Sequence, residues 1–175
     1  MKKLPGTSCI KNISSCDWHG PEDRKKKDNK NRIYRFENYT WQGIRPESYK
    51  PEPDGWATIG RQVIIGSKGE TPLFHLRYFE IAQGGHSSRE RHAHEHVVVC
   101  IRGKGIVRIG RKKHSVRHLD TVYIAPGSVH QFSNPYEEPF GFLCIVNAER
   151  DQPVLHEEKR IHAAKSSKKV SNKKA

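Results

Sequence analysis

The sequence predicts an all-β fold, a sandwich or barrel of short strands, and three observations predict it. From about residue 57 to residue 146, short apolar runs recur with few residues between them. Glycine or proline marks nearly every gap, and no stretch carries a long amphipathic helical period. Strands repeated at this spacing, without intervening helices, pack sheet on sheet. The chain of 175 residues is enough for one such domain with extensions, and too short for two comfortable ones.

Taken in order, the predicted strands are Thr58 to Ile65, Leu73 to Ala82, His96 to Ile101, Ile106 to Ile109, Thr121 to Ile124 and Phe140 to Val146. Gly66 and Gly69 separate the first pair, and Gly84-Gly85 closes the second. Gly103-Lys104-Gly105 turns the third into the fourth, and Gly110 and Pro126-Gly127 punctuate the later strands. After Pro153 a short helical turn is expected over Leu155 to Ala164, and then a Lys/Ser tail. Residues 1–54 are polar, broken by Pro21, Pro46, Pro51 and Pro53, and show no helical period. They read as an irregular N-terminal extension, whose later part Trp41, Tyr49 and Trp56 would anchor on the body of the fold. The resulting division is 1–54 extension, 55–155 barrel and 156–175 basic, flexible tail.

Composition narrows the function classes. No run approaches the ~18 consecutive apolar residues of a membrane span. The start, Met-Lys-Lys-Leu-Pro-Gly, lacks the apolar core of a secretory signal, so the expected compartment is the cytoplasm. Cys100 and Cys144 sit inside apolar runs and read as small buried hydrophobes. Cys9 and Cys16, with His19 behind them, lack the closer spacing and second pair of a zinc site. The net charge of +13 divides into +4 for residues 1–54, +4 for 55–155 and +5 for the last 20 residues. Most of the excess therefore lies outside the predicted barrel. That argues for solvated tails, with weak polyanion attraction at most, rather than a nucleic-acid surface.

The chemistry concentrates in two places. His86, His92, His94 and His96 fall within eleven residues, with Glu90 among them, and about 30 residues later His130 comes after Pro126-Gly127. Imidazole with carboxylate suits borderline divalent metals. On an extended chain Glu90, His92, His94 and His96 all share one face. His130 is the natural donor from elsewhere in the chain.

These residues resemble the two motifs of the cupin family. Gly84, five residues, Glu90-Arg91-His92, three residues, His96, six residues and Gly103 match the spacing of the first motif without a gap. Gly127, His130 and Asn134 match the second. The departures are that Glu90 stands where the family usually has histidine, and His96 where it has glutamate. Pro126 comes one residue late, and Leu119 replaces the second motif's leading glycine.

The resemblance implies a single cupin jelly-roll over about residues 57–150. It also implies one divalent transition metal (Fe, Mn, Ni, Cu, Co or Zn) held by Glu90, His92, His96 and His130. His92-Ala93-His94 is itself a His-x-His pair, so a one-residue bulge would instead make His94 a ligand and release Glu90. The function implied is a metal-dependent enzyme on a small molecule, with dioxygenase chemistry ahead of lyase or isomerase chemistry. The alternative is a non-catalytic small-molecule-binding or sensing barrel, and fold alone does not choose. Phe132, Cys100, Val98 and the strand 140–146 are expected to line the pocket. Arg77 or Tyr78, of which alternation lets only one point inward, would orient the substrate. Glu95 is a candidate acid or base only if it avoids solvent. The resemblance further implies a homodimer.

Overall fold

Apolar residues at every second position commit a segment to a sheet with one dry face. The strand Phe140–Asn147 obeys that rule: Phe142, Cys144 and Val146 are buried, while Ile145 and Asn147 face outward. His96–Arg102 does the same through His96, Val98 and Cys100. The protein is described from a computed structural model, which covers residues 30–49, 57–150 and 154–156. Trp56, the Cys9, Cys16 and His19 group, the basic runs of both tails and residues 157–164 lie outside the described residues.

In chain order the strands are β1 (Phe36–Glu37), β2 (Thr40–Trp41), β3 (Glu47–Ser48), β4 (Ala57–Ile65), β5 (Phe74–His86), β6 (Glu90–Arg91) and β7 (His96–Arg102). They continue as β8 (Lys104–Ile109), β9 (Lys112–Arg117), β10 (Thr121–Ile124), β11 (His130–Ser133), β12 (Phe140–Asn147) and β13 (Val154–Leu155). All pairings are antiparallel. One sheet runs β3-β4-β5-β12-β7-β10 and the other β9-β8-β11-β6-β13. They join where Ser133 of β11 pairs with His86 at the end of β5, so the sheet curls over on itself as a jelly-roll. No helix occurs among the described residues, and none is long and apolar enough to cross a membrane.

The space between the sheets is filled by Ile59, Phe79, Ile81, Val98, Val107, Phe132, Phe140 and Phe142, with Tyr49 of the lead-in segment joining them. Tyr49 packs edge-on against Phe79, and Trp41 lies tilted 5.1 Å from Tyr78 on the outer face of β5. Gly105 is required at the close approach of β8 to β12, because a Cβ there would overlap the Phe140 ring. Leu155 begins no helix: it pairs with Glu90 in β13.

The turn before β10 carries one of the departures from the family motif. Leu119, where the motif has glycine, adopts φ = 67° and leaves its side chain 66% exposed. Hydrogen bonds hold the turn in place, from the Leu119 amide to the Cys100 carbonyl and from the Arg117 amide to the Asp120 carboxylate. A side chain in the left-handed region costs about 1 kcal/mol that glycine avoids, and this one returns little by burial. Leu119→Gly is therefore expected to stabilise the protein by about 1 kcal/mol, read as a higher urea midpoint at unchanged slope.

Candidate metal centre

The register of the strands gathers the candidate ligands. Glu90 opens β6 directly opposite His130, which opens β11, and His96 opens β7 beside Val146 and Ile124. His92 lies in the bend between β6 and β7, where the Gly127 amide donates to its carbonyl. Glu90, His92, His94, His96 and His130 are all buried, each no more than 6% exposed. Ligating atoms of Glu90, His92 and His130 lie within 4.8 Å of one another, and so do those of His92, His94 and His96. His92 belongs to both groups.

The rings are fixed through their inner nitrogens. His92 Nδ1 is 2.7 Å from the His94 carbonyl oxygen, His130 Nδ1 is 2.9 Å from that of Ser128, and His96 Nδ1 is 3.4 Å from Cys144 Sγ. An imidazole whose Nδ1–H is donated outward presents Nε2 as its lone-pair nitrogen, the arrangement of metal-ligating histidines. His96 Nε2 is buried with no hydrogen-bond partner among the described residues. A buried, unsatisfied acceptor beside a carboxylate and two more imidazoles is the donor set that the implied divalent metal would satisfy. The residues present fit that ion.

His94 is also in the cluster. Its ring stacks on that of His92 with centroids 3.7 Å apart, and lies 5.2 Å from His96. The cavity beside the cluster is lined by Glu90, His96 and His130, together with Arg77, Cys144, Ser87 and an aromatic wall of Phe79, Phe132 and Phe142. His94 is not on that wall. Of the residues expected there, Phe132 and, from β12, Phe142 and Cys144 are present, while Val98 and Cys100 lie in the core instead. Arg77 faces in and Tyr78 faces out, where its hydroxyl donates to Glu80. Glu95 is half-buried and off the wall. His114 and His118 are exposed, and His75 meets Arg150 away from the cluster.

Cys144, read from the sequence as a buried hydrophobe, is buried but also touches a candidate ligand. The signal was the alternation Phe142, Cys144, Val146, which puts the thiol on the face that carries Phe142.

Burial holds the His96 imidazole well below its ordinary pKa, and Arg77 adds to the effect. Burial also lowers His130, against the opposing pull of the Ser128 carbonyl. Both are therefore neutral in the folded protein where an unfolded chain would begin to protonate, near pH ~6.5. Stability is thus full above that pH and declines as pH falls below it, by about 1.4 kcal/mol per unit for each group, until the folded pKa is reached. The metal-free protein should melt progressively lower from about pH 7 to about pH 5. A flat melting profile over that range would contradict two neutral buried imidazoles.

Comparison with known proteins places this geometry. A family model described as "Cupin domain" matches residues 77–146. The chain is 44% identical over 118 residues to a protein of Rhodospirillum rubrum named 1-methylthio-D-xylulose 5-phosphate methylsulfurylase, covering 67% of this chain and 74% of that protein. A crystal structure of a cupin-2 domain protein from Rhodospirillum rubrum superposes with a TM-score of 0.63 at 41% identity, over 72% of this chain and 84% of that one. A cupin 2 conserved barrel domain protein from Rhodopseudomonas palustris gives 0.61 at 37%, over 66% and 79%. A polyketide cyclase from Streptomyces resistomycificus, at 17% identity and a TM-score of 0.64 over 75% and 88%, shares the fold alone.

Proposed function

The chain belongs to the cupin family, and from that premise we propose that it is a metal-dependent enzyme acting on a small phosphorylated sugar bearing a methylthio group. The observation that carries the reading is the convergence of buried Glu90, His96 and His130 on one cavity wall, with His92 against them. The 44% identical relative supports the substrate class. In this reading Glu90, His92, His96 and His130 hold the ion, and His94 stacks behind His92 as a support.

Bound there, a divalent metal would polarise a sugar carbonyl or hydroxyl oxygen. The chain's own residues supply the rest. Glu90 contributes the single negative charge of the ligand set, which leaves net positive charge facing the substrate. The Nδ1 contacts of His92, His96 and His130 hold each ring at a fixed angle. Phe79, Phe132 and Phe142 make a dry wall, against which polar interactions strengthen. Dioxygenase chemistry, placed first from the sequence, finds no particular side chain of this wall to favour it. The relative's name instead draws the preference to the carbon that carries sulfur.

The test is direct. Full-length protein, loaded in turn with manganese, iron, cobalt, nickel, copper or zinc, is given 1-methylthio-D-xylulose 5-phosphate with and without an added thiol, and the S-methyl proton resonance is tracked. Its conversion with one metal, and not with His92→Ala, is the expected result. An unchanged resonance under every condition would defeat this substrate class, and dioxygen uptake at an electrode would return dioxygenase chemistry to first place.

A further inference from the structure

The barrel's net charge of +4 conceals a division. The 15 residues from Lys104 to His118 carry six lysines and arginines and no acidic side chain, so this segment alone supplies +6 and the rest of the barrel is left at −2. The segment is β8, β9 and the turn between them. In β9 every side chain but that of Val116 is exposed. Among the described residues, Arg111, Lys112, Lys113 and Arg117 make no ion pair.

Strand register sharpens the picture. Lys104 pairs with Arg117, and Arg108 with Lys113. Paired residues share a face, as do residues four apart on one strand, so these four cations all lie on one side of the sheet. It is the side away from Val107 and Val116, which belong to the core. Like charges directly opposite each other weaken a sheet, and here two such pairs stand on one face with only Ile106 and Ser115 between them. Keeping a second strand off an edge takes far less, since one lysine serves. A face that keeps two like-charged pairs is suited to meeting negative charge.

Shape selects the partner. The two pairs are about 13 Å apart along the strands and about 5 Å wide across them, and Arg111 and Lys112 prolong the row at the turn. This narrow ridge fits a linear polyanion better than a plane of lipid headgroups. Lys112–Arg117 exposes no large apolar side chain that could enter a bilayer. A row two strands wide follows one phosphodiester backbone and leaves the second strand of a duplex unsupported. Neither β8 nor β9 contains Phe, Tyr or Trp, so there is no platform on which successive bases would stack.

We propose that the outer face of the β8–β9 hairpin binds single-stranded nucleic acid through its phosphates, without reading base sequence. This surface is separate from the metal centre, and the inference does not depend on the metal reading.

The test uses the full chain and a labelled single strand of about 16 nucleotides, followed by fluorescence anisotropy between about 50 and 200 mM salt. The matching duplex and vesicles of phosphatidylglycerol in phosphatidylcholine are the comparison probes. For a single strand, each neutralised phosphate adds about 0.7 to the slope of log affinity against log salt. Lys112→Gln/Lys113→Gln/Arg117→Gln removes three exposed cations. Its slope should therefore be shallower by about 2, and its affinity at ~50 mM salt lower by at least about tenfold, at unchanged metal content and no lower melting temperature. Lys113→Gln alone, with a slope change of about 0.7, serves if the triple variant does not fold. The basic runs at 24–27 and 168–174 are present in every one of these proteins, so they cancel in the comparison. Single strands of different base composition should bind alike. Equal slopes for wild type and variant would overturn the proposal by assigning the binding to those runs, and so would a wild type that binds no oligonucleotide at ~50 mM salt. Tighter binding of the duplex than of the single strand through these three residues would also defeat it. Vesicle binding that needs the three cations, beside oligonucleotide binding that does not, would make the ridge a lipid contact instead.

Discussion

His92→Ala should abolish metal binding while the barrel stays folded. The reason is geometric: His92 is common to both groups of ligating atoms, Glu90/His92/His130 and His92/His94/His96, so its loss breaks both three-donor groups at once. In the wild type, free metal at a hundred times its dissociation constant should stabilise the fold by about 2.7 kcal/mol. In the variant that increment should vanish, with the metal content of chelator-free protein falling from one equivalent to background. The metal-free stabilities should differ far less, because the ring's Nδ1 contact is to a carbonyl in the neighbouring bend rather than to the core. Two further variants separate the competing ligand sets. If Glu90, His92, His96 and His130 hold the ion, His94→Ala keeps the metal and Glu90→Gln weakens it at least about tenfold. The opposite pattern would hand the fourth position to His94.

The long strands were legible because their residues alternate. Thr121–Ile124 is observed as predicted, and β12 overruns its predicted limits by one residue, because Val97–Ile101 and Phe142–Val146 advertise a dry face. The strand Lys112–Arg117 was not legible. Only Val116 of its six residues is buried, since it is an edge strand paired on one side to β8, and lysine and arginine suit an edge that must not recruit a second chain. β6 and β13 are two residues each, too short for any period to show.

The site was legible in part for the same kind of reason. Motif spacing brought forward Glu90, His92, His96 and His130, and strand register does place Glu90 opposite His130. Spacing could not choose between Glu90 and His94 as a ligand, because the alternation carries on through the bend: His92, His94 and His96 are all buried, while Ala93 is exposed. Nor could it orient Arg77 against Tyr78. That needed the pairing of Arg77 with Cys144 across β5 and β12, which puts both on the inner face.

Asn134→Ala should cost on the order of 3–5 kcal/mol, the largest stability loss expected of any single polar side chain here. The residue is 1% exposed, and its amide uses both of its ends. Nδ2 donates to the carbonyls of Ile81 and Glu138, each at 2.9 Å, and Oδ1 accepts from the Tyr136 amide at 3.0 Å. Its backbone is tied as well, with the Gly84 amide donating to the Asn134 carbonyl and the Asn134 amide to that of Gly85. One side chain thus fastens the end of β5 to the turn between β11 and β12, the seam where the two sheets join. Alanine strands the Ile81 carbonyl in a dry environment, and each buried group left unpaired costs about 1–3 kcal/mol. Asn134→Asp sharpens the test, because it has nearly the same shape but replaces a donor with a charged acceptor. At neutral pH it should destabilise at least as much as alanine, since its carboxylate would face two carbonyl oxygens without water. Urea midpoints for wild type, Ala and Asp in that descending order, at similar slopes, would establish that the hydrogen bonds matter rather than the volume. An Asp variant as stable as wild type would show that this seam is solvated and that the asparagine does not fasten it.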